Sequence, residues 1–309
     1  MQLADLPSRR TEAWKWSDLR QALADGEDQL ARVKAQPEAS PIAQLAAGLS
    51  NERSETQLTI GEKPPEQHLA IQHAWDVPGV VRRIVAPAGT TGVIVESISA
   101  PSLAGAKLLA AYTVIDIEEG ATLSRVVVQE SSPLLGGASS AVVLNEAAVR
   151  LAAGATFRQF VLGEGGRLAR IETSVSVEGE GATVELNGVY LAGSKRHIDL
   201  TSRVEHKVPG VTTRQLMRGA ARKGGRGVFQ GRFLVERAAQ KTDAEMRHNA
   251  LLLEEGAEVF AKPELEIYAD DVQCAHGNTA GQLNEDAIFY LRQRGIPDTE
   301  ARAMITRAF

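Results

Sequence analysis

AGATFRQFVLGEGGRLARIETSVSVEGEGATVELNGVY, residues 153–190, states the same short pattern twice. Ala153-Gly154-Ala155-Thr156 returns 27 residues later as Glu180-Gly181-Ala182-Thr183. Each copy has a turn glycine, a small residue and then a β-prone run, at 157–161 and 183–190, with a further run at 169–177 between them. Pro87-Ala88-Gly89-Thr90, Glu119-Gly120-Ala121-Thr122 and Glu255-Gly256-Ala257-Glu258 look alike, and the successive glycines stand 31, 34, 27 and 75 residues apart. Glycine adopts positive φ without steric cost, so it suits a chain that turns a corner before each strand. A single coil of a solenoid buries nothing, but stacked coils bury a continuous core. The recurrence therefore favours a β-helix over a sandwich.

Outward from this stretch, short alternating runs continue at 57–60, 80–85, 92–98, 111–117, 123–129, 141–144, 198–205 and 228–235, separated by Gly, Ser, Asn and Asp. Three regions follow: a helical region over 1–56, a β-helix core over 57–281 and a second helical region over 282–309. In the first, a helix is expected from Ser17 through Leu19, Leu23, Leu30 and Val33, broken by Pro37 and Pro41. Ile42, Leu45, Ala46 and Leu49 then form a second apolar face. Trp14 and Trp16 flank Lys15, and both rings are expected to pack this segment onto the next domain rather than line a ligand site. In the last region Asn284-Glu285-Asp286 caps one helix, Gly295 and Pro297 stop it, and Asp298-Thr299-Glu300 opens another. That pattern is still running at Phe309.

Composition narrows the function. The 309 residues carry a net charge of −5, which argues against a basic nucleic-acid binder. Aromatics are 5%, poor material for a stacking groove. No run approaches the roughly 20 apolar residues of a membrane span, and Met1 to Arg20 lacks the apolar core of a secretory signal, so a cytoplasmic address is expected. One cysteine cannot build a disulfide, a four-Cys zinc site or a self-sufficient Cys-ligated cluster.

Standard catalytic signatures are missing. There is no phosphate loop, so ATP hydrolysis is not expected, and no G-x-S-x-G elbow. Gly163-Glu164-Gly165-Gly166 and Gly224-Gly225-Arg226-Gly227 read as surface loops. The basic residues Arg218, Arg222, Lys223, Arg226 and Arg232 read as a solvated face. None of the six histidines pairs with another at helical metal-binding spacing. The concentrated polar element is Asp270-Asp271-Val272-Gln273-Cys274-Ala275-His276-Gly277. If 268–276 is one strand, Tyr268, Asp270, Val272, Cys274 and His276 share a face. Thiol and imidazole are both metal ligands, but two cannot complete a tetrahedral site, so a second chain would supply the rest. A buried Cys beside a hydrogen-bonded His fits the same spacing.

Phe229-Gln230-Gly231, Ala239-Gln240-Lys241-Thr242-Asp243, Asn249-Ala250-Leu251-Leu252-Leu253, the run from Lys262-Pro263-Glu264-Leu265-Glu266-Ile267-Tyr268-Ala269 through Cys274-Ala275-His276-Gly277, Gly281-Gln282-Leu283 and Phe289-Tyr290-Leu291-Arg292-Gln293-Arg294-Gly295-Ile296 closely resemble the SufB/SufD family of iron–sulfur cluster assembly scaffolds. Arg9-Arg10-Thr11-Glu12-Ala13-Trp14-Lys15-Trp16-Ser17-Asp18-Leu19 is similar to the family's N-terminal segment. The middle of the chain matches only in texture. A single cysteine in a Cys-x-His segment favours the SufD-type branch, since SufB-type members carry more cysteines. The resemblance implies a right-handed parallel β-helix flanked by small N- and C-terminal helical regions. It implies a non-catalytic scaffold subunit that pairs with SufB through the β-helices and docks the ATPase SufC through the C-terminal helices, here Phe289, Tyr290, Leu291 and Arg294. It also implies no cofactor held stably by the chain alone, and a transient iron–sulfur cluster at the SufB interface near His276 and Cys274, with His276 as a transient metal ligand alongside SufB groups. Family members usually continue past this point with more helix, so the dock is expected to be incomplete. Two other functions compete: a β-helical polysaccharide-active enzyme, disfavoured by few aromatics and no signal, and a homodimeric metal- or heme-handling protein, formed by self-association when SufB is absent.

Overall fold

All five glycines of the repeated pattern lie at positive φ, between 63° and 81°, in the computed structural model. The structure describes residues 2–24, 39–50, 56–59, 67–72, 79–100, 108–131 and 141–309. The glycines stack. The amide of Gly89 donates to Glu119 O, that of Gly120 to Ala153 O and that of Gly154 to Glu180 O, each at 2.9 Å. The column runs on through Gly181 and Gly210 to Lys241, which holds φ 63° without being glycine and donates to Asp271 O. Gly256 belongs to a different column, with Lys195 donating to Gly224 O and Gly224 to Gly256 O. The odd spacing of 75 residues thus arises because two corners of each coil use the same local chemistry.

Among the described residues, the corners connect β1 (Thr56–Thr59), β2 (Gln67–Gln72), β3 (Gly79–Ala86), β4 (Thr91–Ala100), β5 (Leu108–Ile117), β6 (Thr122–Ser131), β7 (Val142–Leu151) and β8 (Thr156–Gly163). They continue through β9 (Leu168–Val177), β10 (Thr183–Ala192), β11 (His197–His206), β12 (Thr212–Ala221), β13 (Arg226–Val235), β14 (Asp243–Leu252), β15 (Glu258–Ile267) and β16 (Gln273–Gly281). Odd strands form one eight-stranded sheet and even strands another, each in chain order and parallel where paired. This is a parallel β-helix of two facing sheets. Side chains at alternate positions enter the lumen, and the register aligns them in ladders. Ile84, Ile115, Val149, Val175, Val204 and Phe233 make one such ladder, all buried. Burying each contributes about 1.5–3 kcal/mol against the cost of ordering the coil.

The lumen is not wholly apolar. Arg125 donates to Glu96 Oε2 at 2.5 and 3.1 Å, to Asn145 Oδ1 at 2.7 Å and to Gln159 Oε1 at 2.8 Å. Gln159 Nε2 donates onward to Thr173 at 2.9 Å. All five side chains are buried, and a charge there is tolerated because each has its partners.

The termini cover opposite faces. Asp18, not Ser17, caps the four-residue helix α1 (Leu19–Ala22), accepting from Gln21 N at 2.9 Å. Ser17 instead donates to Asp199 on β11. Leu30 and Val33, where the first helix was expected to continue, lie outside the described residues. Pro41 does not end a helix but opens α2 (Pro41–Leu49), with Ser40 as its cap. Helix α2 lays Ile42, Leu45 and Leu49 on outward Leu108, Val142 and Leu144 of the odd sheet. Helices α3 (Glu285–Gln293) and α4 (Asp298–Ala308) pack Ile288 and Ala301 on outward Ala220 and Leu251 of the even sheet. Among the described residues no helix is long and apolar enough to cross a membrane.

Candidate functional site

Strands β15 and β16 end their sheets, so among the described residues each leaves one edge without a neighbouring strand. The register of β16 decides what this coil presents. Cys274 pairs with Ala244, which pairs with Thr213; His276 follows Met246 and Gln215; Asn278 follows His248 and Met217. All the preceding members of these ladders are buried in the lumen. Cys274, His276 and Asn278 therefore line the lumen where it opens, with Cys274 half-buried and the other two exposed. Across the opening, β15 supplies Val259, Ala261 and Leu265, all apolar and partly buried.

The two-residue spacing of Cys274 and His276 holds, but the strand expected over 268–276 does not. β15 stops at Ile267 and β16 starts at Gln273. Between them the chain takes the corner: Asp271 N donates to Gln240 Oε1 at 2.9 Å, and the Asp271 carboxylate pairs with Lys241. Tyr268 and Asp270 consequently share no strand face with Cys274. Burial pushes the Cys274 thiol up, with a backbone hydrogen bond from Ala244 opposing. The free chain thus presents a protonated thiol at neutral pH. Same-face neighbours on a strand stand about 6.6 Å apart, within joint reach of one metal ion. Among the described residues no three His, Cys, Asp or Glu side chains converge, so this pair would supply at most two ligands.

The helical residues expected to dock a partner divide. Phe289 and Tyr290 are 61% and 57% exposed, and the Arg294 guanidinium lies 4.3 Å above the Tyr290 ring. Leu291 instead packs into the apolar layer beneath α3 and α4. Both Trp rings do pack on the β-helix: Trp14 is buried beneath the Arg170 guanidinium at 4.1 Å, and Trp16 stacks on Phe260 at 6.0 Å. The basic residues are dispersed around a corner, with Arg226 paired to Glu258, Arg232 to Glu266 and Arg218 set against the Phe309 ring.

Besides the Arg125 network in the lumen, sequence reading missed two further polar clusters. One clamps the N-terminal arm to the odd sheet. Buried Arg170 donates to Asp199 Oδ2 and Ala13 O, both at 2.8 Å, and to Glu172 Oε2 at 2.8 and 3.0 Å. His197, largely buried and 3.1 Å from Ser17 Oγ, is pushed down to about 4 by burial, with Asp199 opposing. The other joins Tyr190, His248 and Asn278, where His248 lies 3.0 Å from the Tyr190 hydroxyl and 2.7 Å from Asn278 Oδ1. No local signal marks either cluster, because register alone brings these residues together. The side chains of His68 and His73 lie outside the described residues.

Residues 81–309 match the family model of the SUF system FeS cluster assembly, SufBD core domain. The iron–sulfur cluster assembly protein SufD of Escherichia coli is 41% identical over 145 residues, covering 47% of this chain and 34% of that protein. A SufBD family iron–sulfur cluster assembly protein from Synechocystis is 34% identical over 145 residues, covering 47% and 32%. The chloroplastic protein ABCI7 of Arabidopsis thaliana is 36% identical over 160 residues, covering 51% and 34%. The matched stretch thus spans about a third of each relative's own length.

Proposed function

The chain belongs to the SufBD core family of the SUF system for iron–sulfur cluster assembly, and on that premise we propose that it is a non-catalytic scaffold subunit of the SufD type. Its substrate is the nascent cluster, met at a joint with a SufB partner. The observation that carries this reading is the end of the β-helix where, among the described residues, two unpaired parallel edges frame Cys274 and His276. Such edges are templates for strand pairing, and a soluble fold ordinarily covers or blunts them. Neutral imidazole is a ready ligand for iron, while the protonated Cys274 thiol needs a bound cation to ionise. A partner with thiolates would complete what two ligands cannot. The exposed Phe289 and Tyr290, with Arg294 beside them, are the surface we assign to the ATPase SufC.

Co-expression with SufB and SufC tests the assignment. A stable complex containing all three is expected on affinity capture and gel filtration. Failure of SufB to associate would remove the scaffold reading, and a homodimer formed through the β15 and β16 edges in the presence of SufB would replace it.

A further inference from the structure

We infer that Tyr190, His248 and Asn278 form a fixed hydrogen-bond relay that presents the Asn278 amide N–H groups at the open coil end, as donors to anionic sulfur held beside His276. The relay itself stands on geometry alone, and the identity of its acceptor rests on the scaffold reading.

Tyr190 and His248 are 1% and 0% exposed, whereas Asn278 is exposed. The ring of Tyr190 crosses its own ladder partner, Gly219, to reach the next coil. A Cβ on Gly219 would stand 1.8 Å from Tyr190 Cζ, and one on Gly227 would stand 2.9 Å from the hydroxyl oxygen. Two glycines therefore make the slot in which the phenol lies. Phe229 stacks on the His248 imidazole at 4.9 Å and fixes its plane.

Proton bookkeeping sets the direction. Neutral His248 has one N–H and one acceptor nitrogen. If Tyr190 donates to Nε2, then Nδ1–H donates to Asn278 Oδ1, and the Tyr190 hydroxyl and both His248 nitrogens are paired. If Nε2–H donated to Tyr190, the buried phenolic proton would lack an acceptor among the described residues, and the Asn278 amide would have to flip. Leaving one buried donor unpaired disfavours the second arrangement by roughly 5- to 150-fold. With Oδ1 occupied, Asn278 Nδ2 has no partner among the described residues. It sits two positions along the same strand face from His276. A hydroxyl deep in the lumen thus decides which end of an amide faces the joint.

Selective ¹⁵N-histidine labelling of the full chain tests the relay. Wild type is expected to show His248 protonated at Nδ1 with an acceptor Nε2, and Tyr190→Phe to give a mixture of tautomers. Nε2–H as the major wild-type tautomer would overturn the relay. Asn278→Asp keeps the acceptor for His248 but removes both donors. It should leave the tautomer unchanged, yet release cluster to a chelator roughly 5-fold faster from the complex with SufB and SufC, after anaerobic loading with ferrous iron and sulfide. Asn278→Ala should fall between wild type and Asn278→Asp. If metal-free association with SufB weakens in parallel, the acceptor is a partner thiolate. If only the loaded complex is affected, it is cluster sulfide. Unchanged cluster release and association in Asn278→Asp would refute the donor role. A wild-type complex that loads no cluster would defeat the scaffold reading instead, with the tautomer result still standing.

Discussion

Glu146 on β7 shows how a buried residue sets the pH response. Burial, and then the neighbouring Glu172 charge, hold its carboxyl up at about 7 from an ordinary 4.5, with the Ser40 hydroxyl donating to it in opposition. Between those values the folded chain binds a proton that the unfolded chain does not. Its stabilisation is therefore complete below pH 4.5 and is lost as pH rises through 7. His197 acts in the opposite sense. Its folded value near 4 means that stability is present above 6.5 and lost on acidification. Glu146→Gln keeps an acceptor for Ser40 and abolishes the titration. Urea unfolding should find it equal to wild type near pH 4.5 and more stable at pH 8, by at most about 3 kcal/mol. No gain at pH 8 would mean that the carboxylate is solvated. Arg125 offers a harsher test, because Arg125→Ala strands buried Glu96 without its counter-charge. A loss of about 3–5 kcal/mol is expected, read from the same titration. Of the candidate site, the Cys274 and His276 pair was legible, since two-residue spacing on a strand needs only alternation. Asn278 was not, because its partner His248 lies 30 residues away and Tyr190 lies a further 58 residues before that. Only the coil length, which no single segment states, brings them together.

Among the elements, the corners were the readable part. Glycine at 89, 120, 154 and 181 marks one column because positive φ is cheap only there. The same column became invisible at Lys241, where a lysine pays the left-handed strain. Lys241→Gly should therefore raise stability by up to about 1 kcal/mol, since the exposed ion pair that it forfeits with Asp271 contributes little. Gly154→Ala is the reverse experiment. Its new Cβ would meet nothing nearer than 3.9 Å, so a loss of about 1–2 kcal/mol in urea unfolding would report the backbone conformation alone. Strands β12 and β14 escaped reading because their inward positions include the polar Thr213, Gln215 and His248, which break the apolar half of the alternation. Strand β15 escaped because it contains Pro263, which a strand tolerates at a sheet edge and which sits at one here. At the C-terminal helices, Tyr290→Asp and Phe289→Asp should weaken SufC capture while leaving the fold and SufB pairing intact. Leu291→Asp should unseat the helix pair from the sheet, visible as lost helical signal and a lower melting temperature. Equal loss of SufB and SufC capture by a well-folded Tyr290→Asp protein would refute the separate dock.

As a whole molecule, the chain is a stack of coils with its N-terminal arm on one sheet and its C-terminal helices on the other, and among the described residues its β15–β16 end is open. Buried ladders, mostly apolar, fill the lumen up to β14, and at β16 Cys274, His276 and Asn278 continue three of them into the opening. The terminal coil of such a stack needs a polar or covered face, and here groups that also ligate metal meet that need. We propose that this end forms half of a cluster site, with His276 as its principal ligand and Cys274 in a lesser role. The measurement that tests this most directly is the iron and sulfide content of the co-expressed complex with SufB and SufC, compared between wild type, His276→Ala and Cys274→Ala, with gel filtration on the same samples. His276 is exposed and makes no hydrogen bond among the described residues, so its loss should leave the assembled complex intact. His276→Ala should then strip most of the cluster from an intact complex, and Cys274→Ala should remove less. An intact His276→Ala complex with the full wild-type content of iron and sulfide would contradict the account.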